Sequence, residues 1–186
     1  MSAISVVVII AVILILILLW GISVYNKLVR LSNLKDEAWS GVDVPLKRRF
    51  DLTPNLVETV KSCAAHDSKT LQEVVDARAA ISAATTQNAR IDAENSLTDT
   101  LRSLFAAAES CPKLKASENF AYLRNELSSL ENELQMARRY YNGTVRDFNG
   151  EIQMFPAVLI SKRLGYQAAA FFGSDGEPRE PVKGEF

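Results

Sequence analysis

Glycine and proline are scarce in this chain, 8 and 6 among 186 residues, too few for a fold rich in turns. What remains beyond residue 24 is dominated by Ala, Leu, Glu, Arg, Ser and Asn, so that part is expected to be helical. Two cysteines do not build a disulfide framework. The single histidine, His66, has no Cys or Glu at ligand spacing, which removes a metal site. A basic excess is also missing: the formal net charge is -1, and a nucleic-acid partner needs a clear positive surplus. There is no glycine-rich phosphate loop, no nucleophile elbow and no Cys-x-x-Cys. Glu126, Glu131 and Glu133 read as a solvated surface rather than a catalytic pair on one face. The expectation is a protein that is not an enzyme, with no catalytic residue, metal or cofactor.

Charge is absent altogether from Ile4 to Val24, ISVVVIIAVILILILLWGISV. At 1.5 Å per residue that run reaches about 30 Å, the thickness of a bilayer's hydrocarbon core. Summed on an insertion scale its aliphatic residues contribute on the order of -5 to -9 kcal/mol. No basic region precedes it and no small-residue cleavage pattern follows, so it reads as a membrane span rather than a signal peptide. Lys27, Arg30 and Lys35 follow the span, which places the remainder on the cytoplasmic side by the positive-inside bias. Trp20 and Tyr25 suit the membrane interface.

Beyond the span, Leu28, Leu31, Leu34, Ala38, Val42, Leu46 and Phe50 keep helical spacing, so the first helix continues out of the bilayer without a stop signal. Pro54 predicts a kink near residues 52–54, and Pro45 a weaker one. Asp67 or Ser68 caps a second helix. One long helix to Ser110 is preferred, the alternative being a break near Ser96 and Asp99. Ser117 caps a third helix, whose apolar residues (Leu123, Leu127, Leu130, Leu134, Ala137, Tyr141, Val145, Phe148, Ile152, Phe155) form a heptad seam with one stutter. Pro156 ends it. Residues 157–166 are expected to fold back as a short helical cap, and 173–186 to form a disordered tail.

The resulting expectation is an all-α protein: an N-terminal transmembrane helix (1–24) continuing into an antiparallel three-helix, up-down-up bundle (25–172) with a short helical cap. In that arrangement the first and third helices run parallel. It would place Arg48, Arg49 and Asp51 level with Arg138 and Arg139 and near Arg146 and Asp147. These seven residues are the candidate polar network or partner contact. Two readings stand: an interhelical charge network that fixes register, or a basic groove for an acidic peptide or anion. The same arrangement sets Cys63 and Cys111 at opposite ends, too far apart to pair.

Several segments carry a resemblance. Ala38 to Lys61 (AWSGVDVPLKRRFDLTPNLVETVK), Leu104 to Glu109, Leu114 to Phe120, Ala137 to Asn142 and Val145 to Asn149, in that order, resemble the LemA family. The similarity runs over about residues 5 to 172; Ala157-Val158 and Leu164-Gly165-Tyr166 depart from the family's usual residues there. It implies a bacterial inner-membrane protein with one N-terminal span and a bundle of long helices, and it implies no enzymatic activity. The expected partners are the lipid bilayer, further copies of the chain as a homo-oligomer, and a membrane or cytoplasmic protein.

Overall fold

The computed structural model describes residues 3–61 and 68–173, and everything regular in it is helical. In chain order the elements are α1 (Ala3–Lys61), α2 (Ser68–Ala83), α3 (Gln87–Ala108), α4 (Pro112–Lys115), α5 (Glu118–Gln153) and α6 (Ala157–Leu164). The turn expected at residues 65–67, with its possible cap Asp67, and the tail beyond 173 fall outside the described residues. So do His66 and Cys63.

α1 is a single helix through both Pro45 and Pro54, although a proline removes a donor and leaves the carbonyl four residues earlier unpaired. For Pro54 that carbonyl is Phe50, and Arg78 of α2 donates to it from Nε at 3.3 Å while its guanidinium lies 4.0 Å over the Phe50 ring. A donor from the neighbouring helix thus replaces the missing amide, and the helix continues through residues 52–54, where a kink was expected. Pro156 leaves the Ile152 carbonyl in the same position, and the Ser161 hydroxyl donates to it at 2.8 Å.

By contacts the chain divides into two compact units, Met1–Trp39 with Tyr140–Ala169 and Ser40–Arg139 with Ala170–Phe186. In the first, α1 and α5 are antiparallel: Lys27 pairs with Glu151, and twelve residues on Trp39 meets Tyr141 edge to face at 5.3 Å. Leu28, Phe148, Ile152 and Ala157 form its core, with Val24, Leu31, Ile160 and Tyr166 against it. α6 ends on Gly165, whose φ of 74° is the left-handed cap that only glycine adopts cheaply. The chain after it is held by Asn149, which donates to the Ala169 carbonyl at 2.9 Å and accepts from its amide at 2.8 Å.

The second unit is built from parts of α1 and α5 together with α2, α3 and the short α4, whose Leu114 joins the core. α2 lies against α1, through Arg78 on Phe50, and α2 and α3 form a hairpin. α3 follows α1 in parallel, since Asp43 pairs with Arg90 and Arg49 with Glu94. α5 is antiparallel to α1, since Arg48 meets Glu126 and Glu133 while Asn119 donates to Thr59. Leu56, Val60, Val74, Leu97, Leu104, Leu123, Leu127 and Leu130 make the core.

The all-helical class and the long apolar first helix therefore hold, and the three-helix arrangement is corrected. The single long second helix is two helices, broken at 84–86, where Thr86 in an extended conformation accepts the Ala89 amide and starts α3. One additional reversal makes α5 antiparallel to α1 in each unit, where a parallel pairing was expected. Cys111 is disulfide-bonded; Cys63, expected to lie too far from it to pair, is outside the described residues.

Candidate functional site

The heptad reading of α5 holds from Leu123 to Ile152: Leu123, Leu127, Leu130, Leu134, Tyr141, Val145, Phe148 and Ile152 are buried, and Ala137 is half-buried. Residues beside that seam carry the charge. In the second unit α1 supplies Asp43, Arg48 and Arg49, α3 supplies Arg90, Glu94 and Thr98, and α5 supplies Glu126, Glu131, Glu133 and Arg138.

Arg49 and Glu94 form the centre, both buried to within 2% of complete. Arg49 Nη2 lies 2.7 Å from Glu94 Oε2 and donates also to the Glu94 carbonyl at 3.1 Å. Its Nη1 donates to Thr98 Oγ1 at 2.7 Å and to Glu131 Oε2 at 3.3 Å. A guanidinium removed from water needs this density of acceptors, because an unpaired buried charge costs several kcal/mol, on the order of 3 to 5. Glu94 is less fully served: Oε1 accepts no hydrogen bond and lies 4.0 Å from Arg90 Nε. Burial raises the Glu94 pKa above the ordinary carboxylate value, and Arg49, Arg90 and Arg138 oppose that without cancelling it.

The ring around this pair is half wet. Arg48 spans Glu126 at 2.9 Å and Glu133 at 3.3 Å. Glu131 takes Arg138 at 3.7 Å as well as Arg49, and Arg138 lies 4.4 Å over the ring of Phe172. Arg90 reaches Asp43 on α1. Four arginines face five carboxylates here, so the cluster is not a basic patch.

Of the seven residues named from sequence, Arg48, Arg49 and Arg138 come together in this cluster. Asp51 and Arg139 are exposed, and Arg146 and Asp147 are exposed residues of the other unit. The error follows from the helix direction, because a parallel α5 aligns residue 49 with 139, whereas the antiparallel one aligns it with Glu131. Glu94 and Thr98 were missed entirely. Glu126 and Glu133, expected on a solvated surface, lie seven residues apart on one helical face and together hold Arg48.

A groove of about 290 Å³ opens beside the cluster between α3 and α5. Leu101, Phe105 and Leu127 line its floor, Arg49, Thr98 and Glu131 one end, and Arg102 and Arg124 the other. Arg124 is paired with Glu109 and Arg102 with Asp99. Among the described residues no group of three or more His, Cys, Asp or Glu could hold a metal ion. In the first unit, Trp39 packs on Tyr141 as a core contact. Burial, with Asp36 second, pushes the Tyr141 hydroxyl up to about 12.

α1 carries the other functional surface. It is the one helix among the described residues long and apolar enough to cross a membrane, and from Val6 to Ile22 its Val, Leu and Ile side chains are between 42% and 65% exposed. A family model described as the LemA family matches residues 38–186, starting beyond that apolar run. No curated protein matches the chain.

Proposed function

The chain belongs to the LemA family, and from that premise we propose that it is a non-enzymatic, membrane-anchored structural protein, self-assembling or scaffolding at the bacterial inner membrane. The observation that carries this reading is α1 itself, one unbroken helix that begins as an apolar span and ends as a wall of the second unit. An anchor continuous with the folded domain holds that domain beside the bilayer. Light scattering coupled to size-exclusion chromatography in detergent tests assembly: a particle of several protein masses is expected, and a strict monomer defeats the self-assembly version.

A second reading makes the chain an accessory subunit that recruits a membrane protease or transporter through its polar layer. The exposed pair Arg48 and Glu133 favours it, because half-exposed charges on one face are available to a partner. Arg49 does not add to it, since it is buried and its Nη1 and Nη2 are engaged by Glu94, Thr98 and Glu131. Reversing Arg48 should then abolish partner binding and leave the helical circular dichroism intact.

For the side of the membrane, the basic flank Lys27, Arg30 and Lys35 supports a cytoplasmic domain. The disulfide at Cys111 favours the opposite side, because such bonds persist in oxidising compartments. Fusing compartment-specific reporters to residue 186 separates the two.

A further inference from the structure

The apolar seam expected to run to Phe155 fails there, because α5 ends at Gln153. Phe155 is 81% exposed, the most exposed large apolar side chain among the described residues, and Met154 and Leu159 near it are 61% and 64% exposed. Three large apolar residues facing water at the end of a well-packed helix call for a partner.

The antiparallel register of the first unit says where they lie. Glu151 pairs with Lys27, and α5 ends two residues later at Gln153, so Met154 and Phe155 lie in the turn between Ile152 and Ala157. Val24 itself packs against the cluster that contains Ile152 and Ala157. α6 is fixed in rotation by Ala157 and Ser161, both buried and four residues apart, and by the Ser161 bond to the Ile152 carbonyl. Its opposite face therefore presents Leu159, Lys162 and Arg163, all exposed. Apolar residues at the depth of the span's final turn, bordered by lysine and arginine, match the boundary between acyl chains and anionic headgroups.

We propose that Met154, Phe155 and Leu159, flanked by Lys162 and Arg163, form a second membrane contact that enters the headgroup layer of the same bilayer beside the span. The contact gives the protein two points of attachment, with α6 lying in the interface rather than merely closing the bundle. This rests on the anchor reading of α1.

Depth-resolved tryptophan quenching in the full chain tests it. Three single-tryptophan proteins are reconstituted in phosphatidylcholine–phosphatidylglycerol vesicles with and without brominated acyl chains. One retains Trp20 alone (Trp39→Phe); one carries Phe155→Trp with Trp20→Phe and Trp39→Phe; one carries Tyr122→Trp on that same background. The expected result is loss of emission for tryptophans 20 and 155 in brominated vesicles and none for 122. Quenching at 20 without quenching at 155 overturns the proposal and leaves the anchor standing. No quenching at 20 removes the anchor reading and this contact with it. Quenching at all three overturns the local contact. Should Phe155→Trp fail to fold by circular dichroism, Leu159→Trp gives the same readout.

Discussion

Replacing Arg49 by Met should be among the most damaging single changes in the second unit, and a second substitution should repair most of the damage. The guanidinium is 2% exposed and Glu94 is fully buried, so removing the arginine strands a carboxylate whose Oε1 already lacks a hydrogen bond. Breaking a buried pair in this way costs about 3 to 5 kcal/mol. At roughly 2 to 4 °C per kcal/mol for a chain of this size, the melting temperature falls by about 6 to 20 °C. Glu94→Leu should cost less, because Arg49 keeps Glu131 and Thr98. The double variant Arg49→Met with Glu94→Leu buries apolar groups of similar length, which is often close to neutral. Thermal unfolding of the four proteins in detergent, followed by far-ultraviolet circular dichroism, gives the coupling energy, expected at about 2 kcal/mol or more. Additive effects, or a cost under about 1 kcal/mol for Arg49→Met, would refute the reasoning. A pH series adds a check of sign. The folded Glu94 pKa is raised, so the carboxyl takes its proton in the folded state first. Its contribution therefore becomes more favourable as pH falls through the folded value toward the ordinary 4.5, and Glu94→Gln removes that slope.

Tyr141 predicts an alkaline transition: its pKa is raised from 10 to about 12, so above pH 10 the unfolded state ionises first and stability falls by up to about 3 kcal/mol. Tyr141→Phe should flatten that part of a stability-against-pH curve. Arg78→Ala leaves the Phe50 carbonyl unpaired and should cost about 1 to 3 kcal/mol in a denaturant titration. Pro54→Ala restores the missing amide and should make the same Arg78 change nearly harmless. Cys111→Ser, or reduction, should destabilise by about 2 to 4 kcal/mol in a urea melt, and non-reducing mass spectrometry after alkylation should show no free thiol in a single oxidised chain.

The seam of α5, the continuity of α1 past Tyr25 and its long apolar run were legible, because each rests on the repeated spacing or run of apolar residues over many turns; the cap at Ser117, whose hydroxyl accepts the Phe120 amide, was legible from residue type. The break at 84–86 was not. Thr85 and Thr86 interrupt no apolar spacing, for Asn88 and Ile91 keep the helical period, and the signal was one hydroxyl able to accept the Ala89 amide. Arg78 illustrates the same limit from the other side. Its partner is the Phe50 carbonyl, an acceptor created by a proline four residues later, and no pattern of side chains along α2 reports it.

That single break decides the chemistry of the cluster through parity. With three long segments, α5 leaves in the same direction as α1, and Arg49 would meet Arg139, a pair of like charges that only distant acids could relieve. With four, α5 returns, and Arg49 meets Glu131 while Arg48 meets Glu126 and Glu133. The charges themselves therefore favoured four: α1 carries arginines at 48 and 49, and only an antiparallel α5 brings its glutamates to them. Parity also sets where α5 finishes. An even count returns its end to Lys27 and Val24, beside the apolar run of α1, where an odd count would have carried it away.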